Sequence, residues 1–404
     1  MQRDGITSID ASSAPSTGAA LPRGLFRGGA APHPLKGLLL CPTGLLRGVA
    51  ARQAVAAGRA RPLAGSGTAF SSVTVFLRPD AETPPWHVHT ADLGSLTAWA
   101  EDHGPAMVAI MGAVLARLCS VRAPFAGLTL DRPRVMGIVN CTPDSFSDGG
   151  DHFAARDAIA RGLAMLEAGA DLIDVGGEST RPGAEPVDPE EERRRVLPVV
   201  KALAARGAVV SIDTRHARVM EAALDHGATI VNDVTALTHD PEALATVARA
   251  RASVILMHIR GEPRSMQVDP TYDRAPADVY AWLARRVALC QSAGIPPGRL
   301  CVDPGIGFGK MLDHNLDLLH HIGLFHGLGC AVALGASRKS FIARAAGAVD
   351  AEGRPTDHPK ARLGGSLAAA LSAVEQGVQI LRVHDVPETV QAVTVAMGIR
   401  DGGS

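Results

Sequence analysis

The sequence lacks an excess of charge of either sign: 40 Lys and Arg residues stand against 41 Asp and Glu, a net charge of −1 over 404 residues. That balance excludes a chain held on nucleic acid by bulk charge, so any anion recognition has to be local. It also lacks an uncharged apolar run of the ~18 residues a bilayer requires. Stretches such as Pro105 to Ala116 are too short, and a soluble, cytoplasmic protein without nucleic-acid or membrane partners is expected. There is no CxxC pair. Cys41, Cys119, Cys141, Cys290, Cys301 and Cys330 are scattered, which reads as reduced thiols rather than a disulfide framework or a zinc site. From Ala11 to Pro79 no acidic residue occurs, although Arg23, Arg27, Lys36, Arg47, Arg52, Arg59, Arg61 and Arg78 fall there. An acid-poor, Arg-containing N-terminus is also the signature of a mitochondrial transit peptide. The Ala/Gly/Arg bias continues along the whole chain, so it is read as compositional drift.

Residues 1–35, rich in Ala, Gly, Ser and Pro, offer too little apolar surface to order themselves and are expected to form a disordered tail. Residues 36–125 mix short apolar segments, Leu38 to Leu40 and Val73 to Leu77, with a helical run near Ala106 to Leu118, and predict a small α/β appendage of unassigned role. His87 and His89 share one strand face there, but two histidines without a third partner make a poor metal site. Pro124 and Pro133 mark a linker over Arg122 to Arg134.

From residue 132 to 404 a regular alternation takes over. Apolar runs recur at Val135 to Val139, Leu172 to Val175, Val209 to Ile212, Thr229 to Val231, Val254 to Met257, Leu300 to Val302, Ala331 to Leu334 and Gln379 to Val383, each the pattern of a buried parallel strand. Between them lie helical segments such as Ala158 to Ala168, ended by Gly169. Strand and helix alternating in this way predict a (β/α)8 TIM barrel, for which ~250 residues is typical; a doubly wound open sheet is the alternative.

Polar residues stand directly after these strands: Asn140, the Gly176 to Arg181 run, Asp213, Asn232 with Asp233, His258, Asp303, Ser337 to Lys339, and His384 with Asp385. In a barrel all of them converge on the C-terminal mouth, where the active site sits. Arg181, Lys339, Arg382 and His384 bring cationic donors suited to phosphate or pyrophosphate, and Asn140 offers an oxygen ligand for Mg2+. Asp213, Asn232 and Asp303 are costly to bury unpaired and suit a donor-rich heterocycle such as a pterin. The glycines of Asp303 to Lys310 have the wrong spacing for a dinucleotide fingerprint.

The run Met136 to Gly150, MGIVNCTPDSFSDGG, strongly resembles the opening signature of the dihydropteroate synthases. Gly176 to Gly183, Ser211 to Thr214, Asn232 to Val234, Asp303 to Lys310, Gly335 to Ser340 and Arg382 to Asp385 resemble the family's later motifs, in its order, over about Arg132 to Ile399. The resemblance implies that 6-hydroxymethyl-7,8-dihydropterin pyrophosphate is joined to p-aminobenzoate, giving 7,8-dihydropteroate and pyrophosphate in folate biosynthesis. It implies a pterin-binding set of Asp213, Asn232, Met257, Asp303, Lys339 and Arg382. A pyrophosphate set of Asn140, Arg181, Arg382 and His384 follows, with Mg2+ as cofactor on Asn140. The p-aminobenzoate pocket is implied to comprise Phe146, Thr180, Pro182, Phe308 and Ser340. Among these, Arg181, Lys339, Arg382 and His384, together with Asp144, are implied to act in catalysis, Asp144 by stabilising the pterin methylene cation. A homodimer is implied as well. Two departures from the family pattern, Cys141 and Ile259-Arg260, touch no implied ligand. A folate-dependent methyltransferase would share the acid and amide set but lacks the pyrophosphate and aryl-amine loops. A non-catalytic pterin-binding paralogue would lack a loop residue, and none is missing.

Overall fold

A computed structural model describes Leu21 and residues 37–78, 86–141, 151–179, 185–262 and 266–402. The chain begins with an antiparallel sheet: β1 (Leu38–Arg47), α1 (Gly48–Ala56), β2 (Arg61–Pro62), β3 (Thr68–Leu77) and β4 (His87–Asp92). Strand β3 is central, pairing β1 on one side and β2 and β4 on the other. Two helices follow, α2 (Leu93–Asp102) and α3 (Pro105–Cys119). The Asp92 carboxylate caps α2 by accepting from Ser95 N at 2.8 Å, and Pro105 opens α3 where its missing N–H costs nothing.

Strand alternation splits this sheet between two cores. Leu38, Leu40, Val73, Val75 and Leu77 pack on Leu96, Met107, Met111, Val114 and Leu118 of α2 and α3. The intervening Leu39, Cys41 and Phe76 face the other way and belong to the main core of the barrel. Phe76 meets His321 edge-on, Trp86 donates its indole N–H to Asp278 at 3.1 Å, and Arg117 Nε donates to the Gly327 carbonyl at 2.7 Å. The appendage is thus a layer laid on the flank of the barrel, sharing its apolar interior.

The segment that follows is packed rather than free. Arg122 is buried and donates to the His326 carbonyl at 2.8 Å, while Phe125 and Leu130 join the cluster inside the barrel. The barrel then runs β5 (Arg134–Asn140), α4 (Asp151–Glu167), β6 (Leu172–Gly176), α5 (Pro189–Ala204), β7 (Val210–Asp213), α6 (Ala217–Asp225), β8 (Ile230–Asp233), α7 (Ala243–Ala250), β9 (Ser253–Met257), α8 (Ala275–Ser292), β10 (Leu300–Asp303), α9 (Leu312–His320), β11 (Ala331–Leu334), α10 (Ser340–Ala345), α11 (Leu363–Glu375), β12 (Ile380–Val383) and α12 (Val386–Asp401). Strands β5 to β12 are parallel neighbours in sequence order, and β12 pairs β5 to close the barrel.

Each run predicted as a strand is one of these eight. Gly169, placed at the end of the first barrel helix, has φ of +98°, a conformation that costs glycine least. Inward-facing Met136, Leu172, Ile230, Ile255, Cys301 and Ile380 fill the barrel, and Phe125 and Leu130 plug its N-terminal end. Alternate strand residues such as Val175, Ile212 and Val302 face the helices. No helix of the described residues is long and apolar enough to cross a membrane.

Candidate active site

The same alternation that fills the barrel determines what reaches its mouth. On β6, Leu172 lies in the interior cluster, and Asp174 two residues on is fully buried. Its Oδ2 accepts from Asn232 Nδ2 of β8 at 3.0 Å and from Arg382 Nε of β12 at 2.6 Å. The other arm of Arg382, Nη2, donates to Asp213 Oδ2 of β7 at 2.6 Å. Four strands are thereby tied by one chain of charge-assisted bonds, Asn232 to Asp174 to Arg382 to Asp213. Burial works against the Arg382 cation, but Asp174 and Asp213 together outweigh it and raise its pKa above the ordinary range. Burial likewise raises Asp213, with Arg382 opposing.

Beside this network Asp303 ends β10, buried, with Oδ1 accepting from Gly305 N at 2.7 Å. Burial raises its pKa against the pull of Lys339. Lys339, which precedes α10, is pushed down to about 7 by desolvation, with Asp303 favouring its charged form. Its amine donates to the Ile306 carbonyl and lies 4.3 Å over the Phe308 ring. Met257, buried at the end of β9, is the register partner of Asp303. Glycines keep the space open: a Cβ at Gly335 would lie 3.5 Å from Asp303 Oδ2, and one at Gly176 3.6 Å from Asp213 Oδ2.

The next strand ends carry the remaining groups. Ser337 Oγ accepts from His384 N at 3.2 Å and lies 3.1 Å from His384 Nδ1, joining the β11 and β12 ends. Between them Arg338 holds φ of +59°, unusual for a side chain of its size. It is fixed on every side: its guanidinium pairs with Asp385, its N–H donates to Ser366 Oγ at 2.9 Å, and its carbonyl accepts from Arg362 at 2.9 Å. Asn140 is the half-buried last residue of β5, and Ser340 the half-buried first residue of α10.

Of the residues predicted from sequence, Asp213, Asn232, Met257, Asp303, Lys339 and Arg382 meet in this mouth, with Asn140, Phe308, Ser340 and His384 on its strand ends and loops. Asp144, Phe146, Thr180, Arg181 and Pro182 lie outside the described residues. Asp174 was not among the predicted residues, although an acid inside an otherwise apolar, buried strand is itself a signal. Its Oδ1, and Ser211 Oγ on the neighbouring strand, have no hydrogen-bond partner among the described residues. A second acid group stands behind the mouth: Glu178 pairs with Arg215 at 2.8 Å, and the fully buried Glu192 is pushed up to about 8, chiefly by desolvation.

This arrangement can be set against known proteins. The model of a family described as pterin binding enzyme matches residues 136–384. Over 269 residues the chain is 46% identical to the dihydropteroate synthase of Escherichia coli K12, covering 66% of this chain and 92% of that one. It is 46% identical over 276 residues to that of Neisseria meningitidis serogroup C, covering 67% and 94%. Among solved structures, the Xanthomonas albilineans dihydropteroate synthase with 4-aminobenzoic acid is 47% identical with a TM-score of 0.63, over 69% of this chain and 97% of that one. The Xanthomonas albilineans enzyme in complex with 7,8-dihydropteroate is 45% identical with a TM-score of 0.60, over 67% and 95%. With the strand-end acids, amide and cations disposed as above, the chain belongs to the dihydropteroate synthase family of pterin-binding enzymes.

Proposed function

We infer that this chain is a transferase of folate biosynthesis, joining 6-hydroxymethyl-7,8-dihydropterin pyrophosphate to p-aminobenzoate to give 7,8-dihydropteroate and pyrophosphate. The observation that carries this reading is the buried network of Asn232, Asp174, Arg382 and Asp213 beside Asp303 and Lys339. Such a set is costly to bury unless a ligand completes it. A pterin presents ring N–H groups, which the carboxylates of Asp213 and Asp303 accept, and a carbonyl and ring nitrogen, which Asn232 and Lys339 can serve. Met257 and the planar guanidinium of Arg382 supply surfaces for the ring faces.

In the reaction the bond from the pterin methylene to the pyrophosphate oxygen breaks, and the aryl amine nitrogen forms the new bond to that carbon and loses a proton. No side chain becomes covalently attached. The demand is electrostatic: negative charge grows on the departing pyrophosphate and positive charge on the methylene carbon. Arg382, His384 and Arg181 are assigned to the former from the resemblance. Asp144 is assigned to the developing cation. Phe308 and Ser340, with Phe146, Thr180 and Pro182, are assigned to the aryl amine.

Mg2+ fits the donor set at the β5 end, because it takes one or two protein oxygens and fills its shell with water and substrate phosphates. Asn140, half-buried with an amide oxygen, would hold it there. When bound, Mg2+ supplies charge neutralisation to the pyrophosphate. The assembly is read as a homodimer acting in the cytoplasm, following the family resemblance. The test is release of pyrophosphate from the pterin substrate: it should depend on p-aminobenzoate and on Mg2+, with 7,8-dihydropteroate appearing in equal amount. Release that is independent of the aryl amine would overturn the reading.

A further inference from the structure

Lys310 is fully buried, and nothing in the chemistry above uses it. Its amine donates to the Phe308 carbonyl at 2.8 Å and the His258 carbonyl at 3.3 Å, and lies 3.0 Å from His258 Nδ1. Asp303 is the acid that favours its charged form. Burial pulls the pKa of both the lysine and His258 well below their ordinary ranges. An amine buried at this cost has a structural purpose.

That purpose follows from the loop it holds, residues 304–310, which carries no regular hydrogen-bond ladder. Gly305 O accepts from Phe308 N at 3.1 Å, and the next four carbonyls are satisfied one by one from outside the loop or from its end. Ile306 O accepts from Lys339, Gly307 O from Gln267 Nε2 at 2.6 Å, Phe308 O from Lys310 at 2.8 Å and Gly309 O from Tyr272 Oη at 2.8 Å. Asn315 completes the set, accepting from Gly307 N at 2.6 Å and donating to Lys310 O at 3.1 Å. Behind the loop the chain after β9 presses close: a Cβ at Gly305, where φ is +70°, would fall 1.9 Å from His258 O. Lys310 is the member of this set that bonds both segments at once, His258 of the β9 end and Phe308 of the loop. The Phe308 ring in turn lies under the Lys339 amine.

We propose that Lys310 is a positioning residue for the aryl-amine pocket: it touches neither substrate, and its amine fixes the backbone from which the Phe308 ring is presented. The proposal rests on the assignment of Phe308 to that pocket. Lys310→Met keeps the aliphatic stem and removes the donors, leaving two buried carbonyls short of a partner. Lys310→Gln retains a donor and serves as the conservative variant. For Lys310→Met, KM for p-aminobenzoate should rise about tenfold, while KM for the pterin pyrophosphate stays within about twofold. Lys310→Gln should raise KM for p-aminobenzoate about threefold, and it carries the test if the methionine variant fails to fold. Amide exchange over residues 304–311, followed in the substrate-free protein, should be faster in both variants. Unchanged exchange in a folded variant would overturn the positioning role of Lys310 itself. Faster exchange with unchanged KM for p-aminobenzoate would overturn the placement of Phe308 in the pocket. An equal rise in KM for both substrates would overturn the specificity of the effect.

Discussion

Arg382 shields two carboxylates that water cannot reach freely, Asp174 and Asp213, each 2.6 Å from one of its nitrogens. Removing one partner of a buried pair leaves the other charge uncompensated, which costs ~3–5 kcal/mol. Arg382→Met is therefore expected to lose stability of that size in urea unfolding as well as activity; a loss below ~1 kcal/mol would mean that the two acids are solvated. Glu192 acts in the opposite sense. Its folded pKa of about 8 lies above its usual 4.5, so both states hold the proton below 4.5 and the group then contributes no difference. As pH rises from there to about 8, the unfolded state releases a proton that the folded state still holds, so stability falls, and above 8 the loss is complete. Glu192→Gln should therefore raise the melting temperature relative to the parent at pH 8.5 but not at pH 4.5; an equal effect at both pH values would assign the gain to packing. At this scale the sequence was legible wherever a polar residue closes an apolar run, as at Asp213, Asn232 and Asp303. Asp174 and Lys310 were harder to read. The first sits inside its strand, and the second carries its function through carbonyl contacts that no residue pattern encodes.

Elements were more legible than residues. A fully buried parallel strand needs apolar side chains on both faces, so each barrel strand announced itself as a continuous run. In the N-terminal layer Leu38 to Leu40 became β1, Val73 to Leu77 the end of β3, and Ala106 to Leu118 lay within α3. What local pattern does not contain is that one face of that sheet completes the barrel core, because the partner is distant in sequence: Cys41 lies near the His321 carbonyl and Phe76 on the His321 ring. Nor does it show that Phe125 closes the barrel. Phe125→Ala is expected to cost ~3–5 kcal/mol through the cavity it leaves. Because the plug lies at the end opposite the mouth, kcat and both KM values measured below the melting transition should stay within about twofold. A selective rise in one KM would show that the plug and the mouth are coupled.

On the scale of the whole molecule, the barrel separates stability from chemistry. The appendage and plug bury apolar surface on the flank and N-terminal end, and the C-terminal mouth gathers acids, amide and cations from successive strands. The near-zero net charge leaves any recognition of an anion to local groups. The central claim is that this mouth is the pterin seat, and calorimetric titration of a pterin into the parent and into Asp303→Asn and Lys339→Ala tests it most directly. Each variant leaves a heteroatom of a buried ligand unpaired and should bind ~1–3 kcal/mol more weakly. Unchanged affinity in both would contradict the account and remove the two residues from the site.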